Sequence, residues 1–266
     1  MESQLFISTA ELQNLLESGP VQIIDSGMDH KELYLEKHIP NAIFFNITEI
    51  KSKTSDLTID FPSQEEFTKY MIELGVKNNG TPTVVYYQQG MALSGRAWYL
   101  LKHYGMADVR ILDGGLSKWV AEGRPVENGE RIQEQVFDEN DFKYHEANNL
   151  RVLYDEVDKL SGEIESGTNN SKIWDCRGAE YFFEGTVKAA VNLPFDLFFN
   201  PDFTVKSKDE VKEIIKTQLG DVPVVVTCTK GVLACSGLAL LEYCGHNERK
   251  IYTGSFEEWA KMKIIS

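Results

Sequence analysis

The sequence lacks the usual features of secreted, membrane-spanning and nucleic-acid-binding proteins. It has only four cysteines in 266 residues and no Cys-x-x-Cys pair, which argues against a disulfide framework and a zinc site. It has no run of about 18 apolar residues, so we expect no membrane span. Residues 1–10 show neither a secretion signal nor the arginine typical of a mitochondrial address. We therefore expect a cytoplasmic protein with free thiols and no metal or cofactor, with a mitochondrial location as the alternative.

Positive charge is scarce as well. The chain has 27 Lys and Arg against 41 Asp and Glu, a formal net charge of −14, which argues against a protein that neutralises nucleic-acid phosphates. Hydrophobic residues make up 42% and charged residues 26%, an ordinary globular composition. Hydrophobic cores usually split in chains longer than roughly 250 residues, so the length favours two domains.

The second half of the chain repeats the first. The interval falls from 150 residues (173 − 23) to 140 residues (251 − 111), and the order of the matches is kept. The matched segments are IIDS at 23–26 with IWDC at 173–176, TVVYY at 83–87 with VVVTC at 224–228, and ILDGG at 111–115 with IYTGS at 251–255. Ordered matches of this kind indicate two copies of one domain. We expect a first domain at residues 1–125, a linker at 126–144 and a second domain at 145–266.

Each copy alternates short β-branched runs with helical stretches, which predicts an α/β fold in which a mostly parallel sheet is flanked by helices. The predicted strands are 21–25, 83–87, 109–112, 172–176, 222–228 and 250–252. Capping boxes predict helices that begin after Ser8, Ser63 and Ser207. Glycines that we expect to end helices in the left-handed conformation are Gly75, Gly105, Gly123, Gly220 and Gly245.

Cys228 occupies a position suited to chemistry. It follows a predicted strand and precedes a predicted helix at 235–243, so we expect it at the carboxyl edge of the sheet, where ligands bind. A helix N-terminus favours an anion and should lower the pKa of the thiol. Lys230 adds a cation, and Gly231 lets the backbone curl around the sulfur. The alternative is a small core residue, the role that we assign to the other three cysteines.

Four motifs stand out along the chain: the Cys228 loop, the Asp175-x-Arg177 strand end and, in the first half, HIPNA at 38–42 and LDGGLSKW at 112–119. With these motifs the chain resembles the tandem-domain rhodaneses, a family of thiosulfate and 3-mercaptopyruvate sulfurtransferases. This resemblance implies two rhodanese-like domains, of which the second is catalytic. Tyr87 stands where the second copy has Cys228, so the resemblance implies a non-catalytic first domain.

The resemblance also implies a chemistry. Cys228 would take a sulfane sulfur from a small anionic donor as a persulfide and pass it to cyanide or a thiol acceptor, with thioredoxin as one candidate. Loop amides would bind the sulfur and the substrate. The substrate-binding residues would be Thr229, Lys230, Gly231, Val232, Leu233 and Ala234. Neither nucleic acid nor a membrane is expected as a partner.

The loop matches neither donor type completely. Thiosulfate enzymes typically have Cys-Arg-Lys-Gly-Val-Thr and mercaptopyruvate enzymes Cys-Gly-Ser-Gly-Val-Thr. Lys230 agrees with the thiosulfate type, Thr229 and Leu233 agree with neither, and the substrate-binding arginine expected near Tyr181 is absent. We therefore expect thiosulfate as the donor. Mercaptopyruvate transfer, or a weakly active or non-catalytic binding module, is the alternative. A Cys-x5-Arg phosphatase is disfavoured because Ala234 stands at the arginine position.

Overall fold

A computed structural model describes residues 4–29, 31–131, 141–144 and 150–265. Most of the predicted linker and the first residues of the predicted second domain, 132–140 and 145–149, lie outside the described residues. The chain divides into two compact units. Unit 1 consists of Met1–Thr54, Phe61–Asn148 and Asn200–Val205, and unit 2 of Ser55–Asp60, Asn149–Phe199 and Lys206–Ser266.

Unit 1 is a five-stranded parallel sheet with helices between its strands. The elements in chain order are β1 Phe6–Ile7, α1 Thr9–Ser18, β2 Gln22–Gly27, α2 Lys31–Glu36, β3 Ile43–Asn46, α3 Gln64–Leu74, β4 Thr83–Tyr86, α4 Ser94–His103, β5 Val109–Leu112 and α5 Gly115–Ala121. The strand order is β1-β5-β4-β2-β3, and every pair is parallel.

Unit 2 has the same architecture. Its elements are β6 Arg151–Val152, α6 Tyr154–Glu165, β7 Lys172–Asp175, α7 Ala179–Glu184, β8 Ala190–Asn192, a 3-10 helix Phe195–Phe198, α8 Lys208–Leu219, β9 Val224–Thr227, α9 Leu233–Tyr243, β10 Arg249–Tyr252 and α10 Ser255–Ile265. The order β6-β10-β9-β7-β8, again fully parallel, repeats that of unit 1. The predicted α/β repeat is confirmed.

The local predictions hold within a residue or two. All six predicted strands are present, as β2, β4, β5, β7, β9 and β10. Ser8, Ser63 and Ser207 cap α1, α3 and α8, each with the reciprocal Glu hydrogen bond. The five helix-ending glycines all have positive φ, between 70° and 99°.

Four strands were not predicted, namely β1, β3, β6 and β8. All four are sheet edges with two to four residues, and every residue of β8 is partly exposed. A strand of two to four residues is too short to show a periodic pattern, so the sequence does not distinguish it from a loop. The six predicted strands, in contrast, all lie inside the sheets, where a neighbour on each side pairs with them.

Each core lies against its sheet. The four tryptophans pack in these cores and are at most 5% exposed: Trp98, Trp119, Trp174 and Trp259. Within the described part of the chain, no helix has the length and apolar character needed to cross a membrane.

Candidate active site

Cys228 lies directly after β9, at the carboxyl end of the central strand of unit 2. All four residues of β9 are buried, and the chain turns from Cys228 to α9, which begins at Leu233. Gly231 makes this turn at φ 73°, and a Cβ there would overlap the carbonyl oxygen of Thr253. The loop therefore requires glycine, because a side chain would be excluded by both conformation and space.

The sulfur of Cys228 is buried among hydrogen-bond donors. Burial alone opposes a thiolate, but the Cys176 thiol, the backbone amides of Ala234 and Lys230, and the Ser255 hydroxyl outweigh it and lower the pKa of Cys228 to about 6. Ala234 lies in the first turn of α9, so part of this stabilisation comes from unsatisfied amides at a helix N-terminus. The predicted fall of the Cys228 pKa is thus present, and it arises from hydrogen bonds.

Ser255 is a component of the site that the sequence analysis missed. Its Oγ accepts the N–H of Cys228 at 3.1 Å and lies 3.9 Å from Cys228 Sγ, and the hydroxyl can also donate to the Tyr252 carbonyl at 2.8 Å. Ser255 has φ 52°, a left-handed conformation that costs an ordinary residue roughly 1–2 kcal/mol. The corresponding residue of unit 1 is Gly115, at φ 63°. Comparison of the two copies could have revealed this residue, because Ser255 replaces Gly115 in the copy that contains Cys228.

Cys176, for which we predicted only a packing role, also influences the pKa of Cys228. It follows β7, its N–H donates to the Thr227 carbonyl at 3.1 Å, and its thiol lies 3.2 Å from the same oxygen. Complete burial, together with the hydrogen bond to Cys228 and the negative charge of that residue, raises the pKa of Cys176 well above its ordinary value. Cys176 is therefore a protonated thiol beside the Cys228 thiolate, and its single S–H can turn either to the Thr227 carbonyl or to the Cys228 sulfur.

The loop residues differ in exposure. Thr229 is exposed, whereas Lys230, Val232 and Leu233 are half-buried, and Gly231 and Ala234 are buried. No ion pair of Lys230 occurs among the described residues. The helix begins at Leu233, two residues earlier than predicted, because the N–H of Cys235 already bonds to the Val232 carbonyl.

Arg177 forms a buried ion pair with Asp175. Its guanidinium binds the Asp175 carboxylate through Nε at 3.0 Å and Nη2 at 2.6 Å, and both residues are buried. It also donates to the Gly185 carbonyl and lies over the Phe256 ring. Tyr181, at the position of the missing family arginine, is exposed on α7.

The corresponding loop of unit 1 has the same backbone arrangement without the thiol. The Leu116 N–H donates to the Tyr87 carbonyl at 2.9 Å, as the Phe256 N–H donates to the Cys228 carbonyl at 3.0 Å. Tyr87 therefore occupies the position of Cys228, as the repeat predicted. The loop of unit 1 offers no sulfur nucleophile.

Among the described residues of unit 1, no counterpart of the Asp175–Arg177 ion pair occurs at the end of β2. Asp25 corresponds to Asp175, but Gly27 stands where unit 2 has Arg177. Burial without a cation raises the pKa of Asp25 to about 7, against the opposing effect of a hydrogen bond from Tyr86.

Two further observations concern His38 and the side chains that could bind a metal ion. His38 is buried, stacks on Tyr34 and makes a 2.8 Å hydrogen bond from Nδ1 to the Tyr34 carbonyl, which is a structural role. Across residues 4–29, 31–131, 141–144 and 150–265, no cluster of three or more His, Cys, Asp or Glu side chains could hold a metal ion.

Comparison with known proteins identifies the family. The model of the rhodanese-like domain matches twice, at residues 8–122 and 156–262. The thiosulfate sulfurtransferase of Gallus gallus is 33% identical over 87% of this chain and 81% of its own length. The 3-mercaptopyruvate sulfurtransferase of Mus musculus is 29% identical over 91% of this chain and 86% of its own. The crystal structure of SseA from Escherichia coli, described as a 3-mercaptopyruvate sulfotransferase, matches with a TM-score of 0.81 at 27% identity, over 96% of this chain and 99% of its own. The chain therefore belongs to the rhodanese family and carries two copies of its domain.

Proposed function

We propose that this protein is a sulfurtransferase that carries a sulfane sulfur as a persulfide on Cys228. The observation that supports this most directly is the placement of the Cys228 sulfur, which is buried at a helix N-terminus among four groups that lower its pKa. Relatives named as sulfurtransferases align over most of the chain. A binding module without catalysis would not require a thiol of lowered pKa, so we favour an enzyme over that alternative.

Thiosulfate is the donor that we propose. The Cys228 thiolate attacks the outer sulfur, the S–S bond of thiosulfate breaks, and sulfite leaves with the electron pair. No proton has to move, because thiolate, persulfide and sulfite are all stable as anions. This suits a site built from hydrogen-bond donors rather than from an acid and a base. Transfer from 3-mercaptopyruvate would leave an enolate that must be protonated, and it remains the alternative donor.

The second half-reaction regenerates the thiolate. Cyanide or a thiol acceptor attacks the outer sulfur of the persulfide, and the bond to Cys228 Sγ breaks with its electrons left on Sγ. The amides of Lys230 and Ala234 face the same sulfur, so they stabilise the charge at the start and the end of the cycle. A dithiol protein such as thioredoxin is a suitable acceptor, because its second thiol releases the transferred sulfur as sulfide.

Donor binding depends on local charge. The net charge of −14 repels an anionic donor at long range, so attraction has to come from Lys230, the loop amides and the N-terminus of α9. The remaining amides and side chains of Thr229, Gly231, Val232 and Leu233 complete the proposed substrate-binding loop. Because the family arginine near Tyr181 is missing, we expect weaker binding of the donor than an arginine clamp would give.

The domain roles and the location follow from the same features. We assign sulfur transfer to residues 145–266, a non-catalytic role to residues 1–125, in which Tyr87 replaces the thiol, and a linker role to residues 126–144. The four cysteines are all free, which suits a reducing compartment. We propose the cytoplasm, with the mitochondrion as the alternative.

The test compares two reactions in wild type, Cys228→Ser and Cys244→Ser. The reactions are thiocyanate formation from thiosulfate and cyanide, and pyruvate formation from 3-mercaptopyruvate. We expect Cys228→Ser to lose both activities and Cys244→Ser, a buried cysteine outside the loop, to keep them. Activity that survives in Cys228→Ser would overturn the proposal.

Lys230→Ala tests the choice of donor. A half-buried ammonium next to an anion contributes about 1 kcal/mol, so KM for thiosulfate should rise about fivefold, and more than KM for 3-mercaptopyruvate. Lys230→Arg serves as the charge-preserving control and should stay near wild type. Equal effects of Lys230→Ala on both donors would remove the reason for preferring thiosulfate.

A further inference from the structure

Cys176 and Cys228 are neighbours across two parallel strands. In the β7–β9 pair, Asp175 is in register with Thr227, so the next positions in register are Cys176 and Cys228. Neighbouring strands are about 4.8 Å apart, within the range of about 4.4–6.8 Å over which two Cα atoms can be joined by a disulfide. Residues in register project to the same face of a sheet, and these two thiols share a hydrogen bond.

The other two cysteines do not have this relation to Cys228. The Cys235 thiol donates to the Gly231 carbonyl at 3.1 Å, and the Cys244 thiol to the Leu241 carbonyl at 3.4 Å. Both belong to α9 or its end, whereas Cys176 comes from the adjacent strand. The structure thus gives Cys228 a thiol neighbour of a specific identity.

We propose that Cys176 and Cys228 form a redox pair that closes to a disulfide when a hydroperoxide oxidises Cys228. The Cys228 thiolate attacks the terminal oxygen of the hydroperoxide, the O–O bond breaks, and the OH group stays on the sulfur as a sulfenic acid. The other oxygen leaves with the electron pair as an alkoxide or hydroxide and is neutralised by a proton from the buffer. The Cys176 sulfur then attacks the sulfenic sulfur, and the OH group leaves with the Cys176 proton as water. The two thiols lose two electrons in total, and the hydroperoxide gains them.

The negative charge of Cys228 keeps Cys176 from reacting before Cys228 has been oxidised. The negative charge of Cys228 is one cause of the raised pKa of Cys176, so Cys176 stays protonated and unreactive while the thiolate is intact. Oxidation to a neutral sulfenic acid removes that charge and makes Cys176 easier to deprotonate. Cys176 therefore becomes a nucleophile after Cys228 has been oxidised.

Closure would protect the site as well as switch it off. A sulfenic acid without a neighbouring thiol proceeds to a sulfinic acid, which dithiol reductants do not reverse. A disulfide is restored to two thiols by such a reductant through thiol–disulfide exchange. The pair would therefore replace irreversible oxidation of Cys228 by reversible inactivation of the enzyme.

The test maps the disulfide in the full chain after treatment with hydrogen peroxide. Trypsin separates the relevant cysteines, because cleavage after Lys and Arg places Cys176 in peptide 173–177, Cys228 in peptide 217–230 and the other two in peptide 231–249. We expect a non-reduced digest to contain peptides 173–177 and 217–230 joined with the loss of two hydrogen atoms. This measurement needs no variant and no sulfur donor, so its result is independent of the proposed sulfur transfer.

Variants then test the consequence. Peroxide-treated wild type and Cys244→Ser should recover most of their activity in dithiothreitol, whereas Cys176→Ser and Cys176→Ala should recover little and contain sulfinic acid at Cys228. A disulfide between peptides 217–230 and 231–249 would overturn the proposal. So would sulfinic acid at Cys228 of the wild type without any joined peptide.

Discussion

The lowered pKa of Cys228 predicts an unusual pH dependence of its alkylation. At pH 7, a thiol of pKa about 6 is about 90% thiolate, whereas one of pKa 9 is about 1% thiolate. The rate of alkylation by iodoacetamide should therefore be nearly constant from pH 7 to pH 9 and fall about tenfold by pH 5. An unperturbed thiol would instead react about 50-fold faster at pH 9 than at pH 7.

The structure also predicts which changes move the midpoint. Cys176→Ala removes one donor to the Cys228 thiolate, and a hydrogen bond to a charged group contributes about 1.5 kcal/mol, so the pKa should rise by about one unit. Cys176→Ser keeps a hydroxyl donor and should stay closer to wild type. Ser255→Ala removes both the longer contact to Sγ and the acceptor of the Cys228 N–H, so we expect a further rise there.

The assay follows the tryptic peptide that contains Cys228, so that the other cysteines do not contribute. The chain is pulsed with iodoacetamide at each pH, quenched, digested, and the alkylated fraction of peptide 217–230 is measured by mass spectrometry. A rate that continues to rise through pH 8 and 9 would refute the inference that loop donors outweigh burial. An identical profile in Cys176→Ala would refute the role of the Cys176 thiol.

Two further predictions concern the loop and the buried acid of unit 1. Gly231→Ala forces a Cβ into the Thr253 carbonyl and should lower the rate of sulfur transfer at least about tenfold. Gly245→Ala is the control, because Gly245 has a similar φ but open space around it, and it should lower the free energy of unfolding by only about 1 kcal/mol in thermal unfolding. Equal effects of the two changes on activity would contradict the fit of the loop. The Asp25 pKa lies near 7 in the folded chain and near 3.8 when unfolded, so its contribution to stability is complete below about pH 4 and is lost as the pH rises through 7. Asp25→Asn should therefore stabilise the protein relative to wild type by up to about 4 kcal/mol at pH 8 and much less at pH 4, as measured by urea unfolding, and a pH-independent difference would contradict the raised pKa.

The sequence predicted the parts of the fold that depend on local signals. Buried strands such as β9 are continuous apolar runs, and the capping boxes at Ser8, Ser63 and Ser207 define their helix starts within a few residues. The edge strands were missed because two to four residues are too few to show a periodic pattern. Pairing with the sheet, rather than local sequence, makes these segments strands.

The site divides in the same way. Cys228 and Gly231 were found because a strand, a thiol and a glycine follow one another along the chain. Ser255 and Cys176 were missed as partners of Cys228 because each comes from a different element, and only strand register and a left-handed turn bring them to the sulfur. Their contacts are long-range in sequence, so no local pattern predicts them.

The central claim is that Cys228 carries the transferred sulfur. The direct measurement is the mass of peptide 217–230 after the full chain has been incubated with thiosulfate and then desalted without reductant. We predict that this peptide gains one sulfur atom, that cyanide removes it, and that Cys228→Ser gains none. A chain that turns over thiosulfate without added sulfur on this peptide, or with the sulfur on another cysteine, would contradict the account.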